Sequence, residues 1–200
     1  MIAEVEAGSP HYIEATCRHV RALLRLARGD AKGALADSER MLEYGRSVGD
    51  PQVLWPALAV HARMLASAGD LASAGVFDEA VRFRSPATWS RVGVADFAAA
   101  AAMLGRDPFA ERSEEAFATP WIEAARAMCL GDFARAAAIY GGMGSRPDEA
   151  DARLLAAKAL VEAGRRAEAD EQLRRVLAFY RDVGASAYLR EGEALLAASA

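Results

Sequence analysis

Asparagine is missing altogether from this chain of 200 residues; cysteine and lysine occur twice each and histidine three times, against 22 arginines. With no asparagine there is no Asn-Gly signal for a tight hairpin, and β-branched runs are missing as well, so little in the chain encodes a sheet. Cys17 and Cys129 stand far apart, outside any Cys-x-x-Cys spacing. They indicate no disulfide framework, and a reducing cytoplasm is the expected location. The longest uncharged apolar run, Phe97 to Leu104, has eight residues, too few to cross a bilayer, and no signal-peptide core follows Met1. A net charge of −4 argues against a domain that neutralises nucleic-acid phosphates, since that task draws on a clustered excess of Lys and Arg.

What is present in quantity is alanine, at 48 residues, within a composition that is 53% hydrophobic and 26% charged. Alanine is the best helix former, and the mixture suits an almost entirely helical soluble domain. A spaced triplet organises it. Gly29, Gly69, Gly105, Gly131 and Gly164 each have Ala seven residues before (Ala22, Ala62, Ala98, Ala124, Ala157) and Ala five residues after (Ala34, Ala74, Ala110, Ala136, Ala169). A recurring Gly between small residues reads as a turn joining two closely packed helices, and its recurrence reads as a helical repeat.

Prolines mark the corresponding starts: Ser9-Pro10, Asp50-Pro51, Ser85-Pro86, Thr119-Pro120 and Arg146-Pro147. Pro is tolerated at the first helical position, where its missing N–H costs nothing. The Pro-to-Gly intervals of 19, 18, 19, 11 and 17 residues predict four first helices of about five turns and a short fourth. Second helices are expected over 31–48, 71–83, 108–118, 133–139 and 165–183. In the last, Ala169, Leu173, Val176, Leu177 and Tyr180 share a face, with Asp170–Arg174 and Glu171–Arg175 pairs opposite. Pro56, five residues after Pro51, predicts a broken start to its helix. Tyr188, Leu189, Leu195 and Leu196 suit a terminal helix that caps the last hairpin.

No catalytic, cofactor or metal constellation emerges. Gly141-Gly142-Met143-Gly144 precedes a helix start as a phosphate loop would, but Asp148 and Glu149 in that first turn would repel an anion, and no Gly-Lys-Ser/Thr occurs. His11, Cys17 and His19 do not share a helix face, and His61 is the only other histidine. Cys17 falls on an apolar stripe with Ile13, Val20 and Leu24 and reads as a buried structural thiol. There is no Gly-x-Ser-x-Gly elbow, and Glu114 and Glu115 point to different parts of a helix surface.

Two surfaces stand out. Arg18, Arg21, Arg25 and Arg28 form a basic stripe opposite that apolar one, which reads either as a dock for an acidic peptide or protein domain, or as a face solvated or paired with carboxylates of a neighbouring helix. Trp55, Trp89 and Trp121 fall near the starts of first helices, as binding hot spots or, the commoner fate, as inter-helix packing.

The glycine spacings of 40, 36, 26 and 33 average about 34 residues, and with Phe133 and Tyr140 at aromatic positions the chain resembles the tetratricopeptide repeat. The resemblance implies an all-α, right-handed superhelix of antiparallel hairpins, a single domain over 1–200 with units at 9–49, 50–84, 85–118, 119–145 and 146–184 and a capping helix at 185–199. Its register would place His19, Leu23, Arg63, Met103, Trp121, Met128 and Lys158 on the concave side. Tetratricopeptide domains that grip chaperone tails use Asn in their clamp, which this chain lacks. Glu6 to Tyr12 with Leu26 to Asp30, and Leu160 to Arg166 through Phe179 to Ala185, resemble the C-terminal helical region of large bacterial proteins that join a nucleotide-cyclase or DNA-binding domain to a STAND-type ATPase.

These readings lead to a non-enzymatic interaction or sensor module of a bacterial signalling protein, without cofactor, metal, membrane or direct nucleic-acid contact. It would bind a peptide, a neighbouring domain of a larger parent or a second copy of itself. The candidate partner-binding residues are Arg18, Arg21, Arg25, Arg28, Arg63, Trp121 and Lys158. The alternative is a small-molecule sensor whose ligand fills an apolar, Ala-lined concave groove near Met103, Met128 and Trp121.

Overall fold

The computed structural model of the protein describes residues 2–8, 11, 13–83, 91–110 and 119–197, residues 91 and 92 by their backbone alone. Every element among the described residues is an α-helix. They fall into two compact units, Met1–Leu26 with Asp30–Leu104, and Ala27–Gly29 with Gly105–Ala200.

The first unit contains α1 (Ile2–Glu6), most of α2 (Glu14–Arg28), α3 (Ala31–Val48), α4 (Pro51–Ser67), α5 (Ala72–Phe83) and α6 (Arg91–Leu104). All five triplet glycines adopt positive φ, between +63° and +92°, the left-handed conformation that ends a helix at little cost for a residue without Cβ. After Gly29 and Gly69 an aspartate then starts the next helix: Asp30 Oδ1 accepts from the Gly33 amide at 2.9 Å, and Asp70 Oδ1 from that of Ala72 at 2.8 Å. Asp50 does the same for Gln52 at 2.8 Å, with Pro51 at the first helical position. A side-chain oxygen of this kind satisfies one of the amides that a helix start leaves unpaired.

Helix α4 is the core of this unit, burying Trp55, Leu58, Val60 and Met64 among others and packing on α3, α5 and α6. Trp55 is fully buried: its Nε1 donates to the Ala80 carbonyl at 3.2 Å and its ring lies 5.6 Å from that of Phe97, which stacks on Phe77 at 4.7 Å. At Gly45 of α3 a Cβ would stand 3.1 Å from the Leu54 Cα, so the small residue lets the α3 and α4 backbones approach.

The broken start expected at Pro56 does not occur, because α4 runs unbroken from Pro51 to Ser67. The ring removes one hydrogen bond, to the carbonyl of Gln52, a residue exposed to water that can replace it. The ring also has a neighbour shaped for it. Gly93 of α6 has φ +91°, and a Cβ there would meet the Pro56 Cα at 2.9 Å and the Trp55 ring at 3.2 Å. Gly93→Ala therefore combines a disfavoured backbone conformation with a clash against backbone, and should cost about 3 kcal/mol or more in chemical denaturation. A loss under about 1 kcal/mol would mean that α6 can pull back from α4.

The first of the first helices is shorter than the position of Pro10 implies: α2 has 15 residues, about four turns. Ahead of α2 the chain makes a local turn in which His11 Nδ1 accepts from the Ile13 amide at 3.3 Å. Pro10 and Pro86, like Trp89, Glu114, Glu115 and most of the expected helix over 108–118, lie outside the described residues.

The second unit contains α7 (Pro120–Cys129), α8 (Phe133–Gly142), α9 (Arg146–Glu162), α10 (Arg166–Val183) and α11 (Ser186–Ala197). Thr119 caps α7 and Asp132 caps α8. α8 extends to Gly142, three residues past the expected end. On α10 the stripe Ala169, Leu173, Val176, Leu177 and Tyr180 is buried, with Ala150, Leu154 and Ala157 of α9 facing it. Tyr180 donates to the Ala150 carbonyl at 3.2 Å, and its ring lies 5.4 Å from Tyr188 of α11. Tyr188, Leu189, Leu195 and Leu196 pack against this core. On the opposite face of α10, Glu171 pairs with both Arg175 and Arg174, so Arg174 turns to Glu171 and away from the expected Asp170.

Candidate functional site

The polar centre of the first unit is built where α2 faces α3. Helix α3 buries Ala34, Asp37, Ser38, Met41, Leu42 and Gly45, a stripe of helical period in which Asp37 takes a core position. A carboxylate buried there is costly unless cations and hydrogen bonds surround it. Asp37 is 1% exposed, and three arginines of α2 converge on it. Arg21 donates through Nε at 2.8 Å and through Nη2, Arg25 through Nη1 at 2.8 Å, and Arg18 reaches it at 3.4 Å. Arg18 also donates to Glu14 at 2.6 Å, and Arg25 to the Gly33 carbonyl at 3.0 Å.

This arrangement reverses the expected orientation of α2. The arginine stripe faces the chain, while Val20 and Leu24, on the stripe read as buried, are 51% and 47% exposed. Ile13 and Cys17 are half-buried, so Cys17 is not the enclosed structural thiol expected. The physical reason is Asp37: satisfying a buried charge outweighs covering two aliphatic side chains, each of which contributes about 1.5–3 kcal/mol at most when fully buried. Of the four arginines only Arg28 is exposed at the helix end.

A cleft of about 950 Å³ opens beside these arginines. Its walls carry Glu14, Arg18, Arg21 and Arg25 of α2, Asp37, Glu39, Arg40, Glu43 and Tyr44 of α3, and Val5 and Glu6 of α1, so acids and arginines alternate around it. Arg18 is buried, whereas the side chains of Arg21 and Arg25 remain 32% and 33% exposed. Both side chains line the cleft while holding Asp37. Arg40 is engaged with Glu43 at 2.8 Å.

A second buried cluster joins three helices of the same unit. Asp96 of α6, 4% exposed, lies 2.8 Å from Arg63 Nη1 of α4 and 2.9 Å from His19 Nε2 of α2. Burial pushes the Asp96 carboxyl upward, but His19 and then Arg63 outweigh it and hold the pKa at about 2. Two residues assigned to one surface, His19 and Arg63, thus come together on a carboxylate, and Arg63 at 4% exposure is enclosed.

The remaining candidates separate. In the second unit Trp121 is half-buried, 5.9 Å from the Tyr140 ring, and Lys158 pairs with Glu191. Met128 is 2% exposed and belongs to the packing of α7; Met103, in the first unit, is 44% exposed. The Ala-rich run of α6, Ala98 to Ala101, is buried and lines no open groove. Gly141 and Gly142, read as part of a loop, end α8, and the Glu149 carboxylate stands where a Cβ on Gly141 would meet it at 3.1 Å, so an acid fills the space a phosphate would need. No set of three His, Cys, Asp or Glu side chains among the described residues is placed to hold a metal. No helix among them is long and apolar enough to cross a membrane.

Asp37 and Asp96 escaped the reading of the sequence, although each carries a signal. Asp37 is a charge at a core position three residues after Ala34 and four before Met41, and Asp96 is a lone acid between Val94 and Phe97.

Residues 127–197 match the family model of the tetratricopeptide repeat. Searches of curated proteins and of solved structures found no match. The matched stretch runs from the end of α7 to the end of α11. With an all-helical architecture of consecutive hairpins, the fold class is all-α and tetratricopeptide-like. Such repeats commonly mediate protein–protein interaction and are generally not catalytic.

Proposed function

We propose that this protein is a non-enzymatic interaction module, serving bacterial signalling or regulation, that binds an acidic peptide segment of a partner or parent protein in the α2–α3 cleft. The observation that carries the reading is the pair Arg21 and Arg25, one third exposed and held side by side by a single buried carboxylate. Guanidinium groups fixed in this way keep a donor geometry that matches carboxylates, and their fixation lowers the ordering cost of binding. The cleft is polar, which favours a charged segment over the apolar small molecule considered as the alternative.

Titration of the full chain into a fluorescein-labelled Glu-rich decapeptide, followed by anisotropy, should show saturable binding that weakens with added salt. Arg21→Gln and Arg25→Gln should each weaken it about tenfold, as expected for a lost charge-assisted hydrogen bond. Amide chemical-shift changes in NMR spectra, confined to α2 and α3, would locate the peptide there independently of those variants. Binding unchanged in both variants, in chains whose circular dichroism matches the parent, would rule the cleft out.

A further inference from the structure

The cleft already holds an acidic segment. Helix α1 buries none of its residues, so core packing does not hold it, yet two of its side chains, Val5 and Glu6, line the cleft wall. The Glu6 carboxylate lies 3.5 Å from Arg18 Nη1 and 3.7 Å from Arg21 Nη2, with its side chain 55% exposed. The acids of the hairpin match the three arginines in number, and it is their distribution along the stripe that singles out its middle. Arg18, Arg21 and Arg25 share the single charge of Asp37, and each end of the stripe has one further acid of the hairpin: Glu14 on Arg18, and Asp30, 3.6 Å from Arg25. Arg21, in the middle, has Asp37 alone inside the hairpin, and Glu6 lies beside the same Nη2 that donates to Asp37.

We infer that α1 is a displaceable occupant of the cleft in cis, and that the partner's segment is of the same chemistry: a short helical stretch with an aliphatic residue followed by glutamate, as in Val5-Glu6. This rests on the acidic-peptide reading above and adds to it both the form of the ligand and a control on its access. Partner binding must displace Glu6, so the affinity seen from outside is the intrinsic affinity reduced by the fraction of molecules in which α1 is released. Because α1 contributes no buried residue, its release leaves the packing of α2 to α6 in place.

The test uses the full chain, its Glu6→Gln variant, and an acetylated, fluorescein-labelled peptide with the α1 sequence from Ile2 to Ala7. A glutamine keeps the size of the side chain and removes the charge that competes with the peptide. Glu6→Gln should bind the labelled peptide about fivefold more tightly than the parent, the size of effect that one half-exposed ion pair supports. A peptide carrying Gln in place of its last Glu should lose that gain. Equal affinity of parent and Glu6→Gln for the α1 peptide would overturn cis occupancy and leave the acidic-peptide reading standing. Binding by neither chain of this peptide or of the Glu-rich decapeptide would overturn both. Size-exclusion chromatography with multi-angle scattering covers the other occupant of the same chemistry: a concentration-dependent dimer of the parent, dissociated by Glu6→Gln, would mean that α1 docks on a second copy and would overturn the cis assignment.

Discussion

Replacing Asp37 with alanine is expected to cost about 3–5 kcal/mol of stability, the range for removing one partner from a buried ionic cluster. The carboxylate is 1% exposed and accepts from three guanidinium groups, of which Arg18 is itself 5% exposed. Without Asp37, Arg18 keeps Glu14 and Glu6, but Arg21 and Arg25 lose the group that orients them, and an excess of like charge remains along one face of α2. Chemical denaturation followed by far-UV circular dichroism measures the loss. Adding Arg18→Met to Asp37→Ala should recover part of it, because one buried cation fewer is left on a face that has lost its central carboxylate, and the methionine fills comparable space. A single variant within about 1 kcal/mol of the parent would show that α2 re-solvates its arginines without penalty, and that something other than the buried charge orients that helix.

Asp96→Asn is expected to destabilise by a similar amount at neutral pH, again about 3 kcal/mol, since it removes the buried charge that Arg63, itself 4% exposed, pairs with. Its dependence on pH carries a sign that a packing effect would not. The carboxyl is held at about 2 against an ordinary value of 3.8. A depressed carboxylate contributes stability that is fully present above the unfolded value and is lost as pH falls through the folded one. The gap between 3.8 and about 2 corresponds to about 2 kcal/mol. The parent's advantage over Asp96→Asn should therefore shrink by about 2 kcal/mol on going from about pH 5 to pH 2. An advantage that does not change over this range would mean that the His19–Asp96–Arg63 contacts act through shape alone.

These two acids also mark how far the sequence could be read. The turns were legible because they depend on one residue each: a glycine without Cβ takes positive φ, and Gly29, Gly69, Gly105, Gly131 and Gly164 all do. Starts were legible at Pro51 and Pro120 for the same local reason. The buried stripe of α10 was legible because all five apolar residues agree on a single face. On α2 there were two stripes, one apolar and one of arginines, and hydrophobic periodicity alone chose the wrong one to bury. Pro56 misled in the same way, since its missing hydrogen bond is local whereas the space that accepts its ring is made by Gly93, 37 residues further along the chain.

The amino-acid sequence by itself determined that this chain is helical, where its hairpins turn, and which faces of its regular helices are apolar, because helix propensity, capping and turn conformation act within a few residues. Only the tertiary structure decided what the charged residues do. Whether Arg21 faces water or a carboxylate depends on where Asp37 stands, 16 residues away on another helix, and whether Arg63 is a surface cation depends on Asp96 of α6. Ionic pairing in a buried place is set by distance in space and by the cost of leaving a charge unmatched, and neither quantity is carried by spacing along the chain.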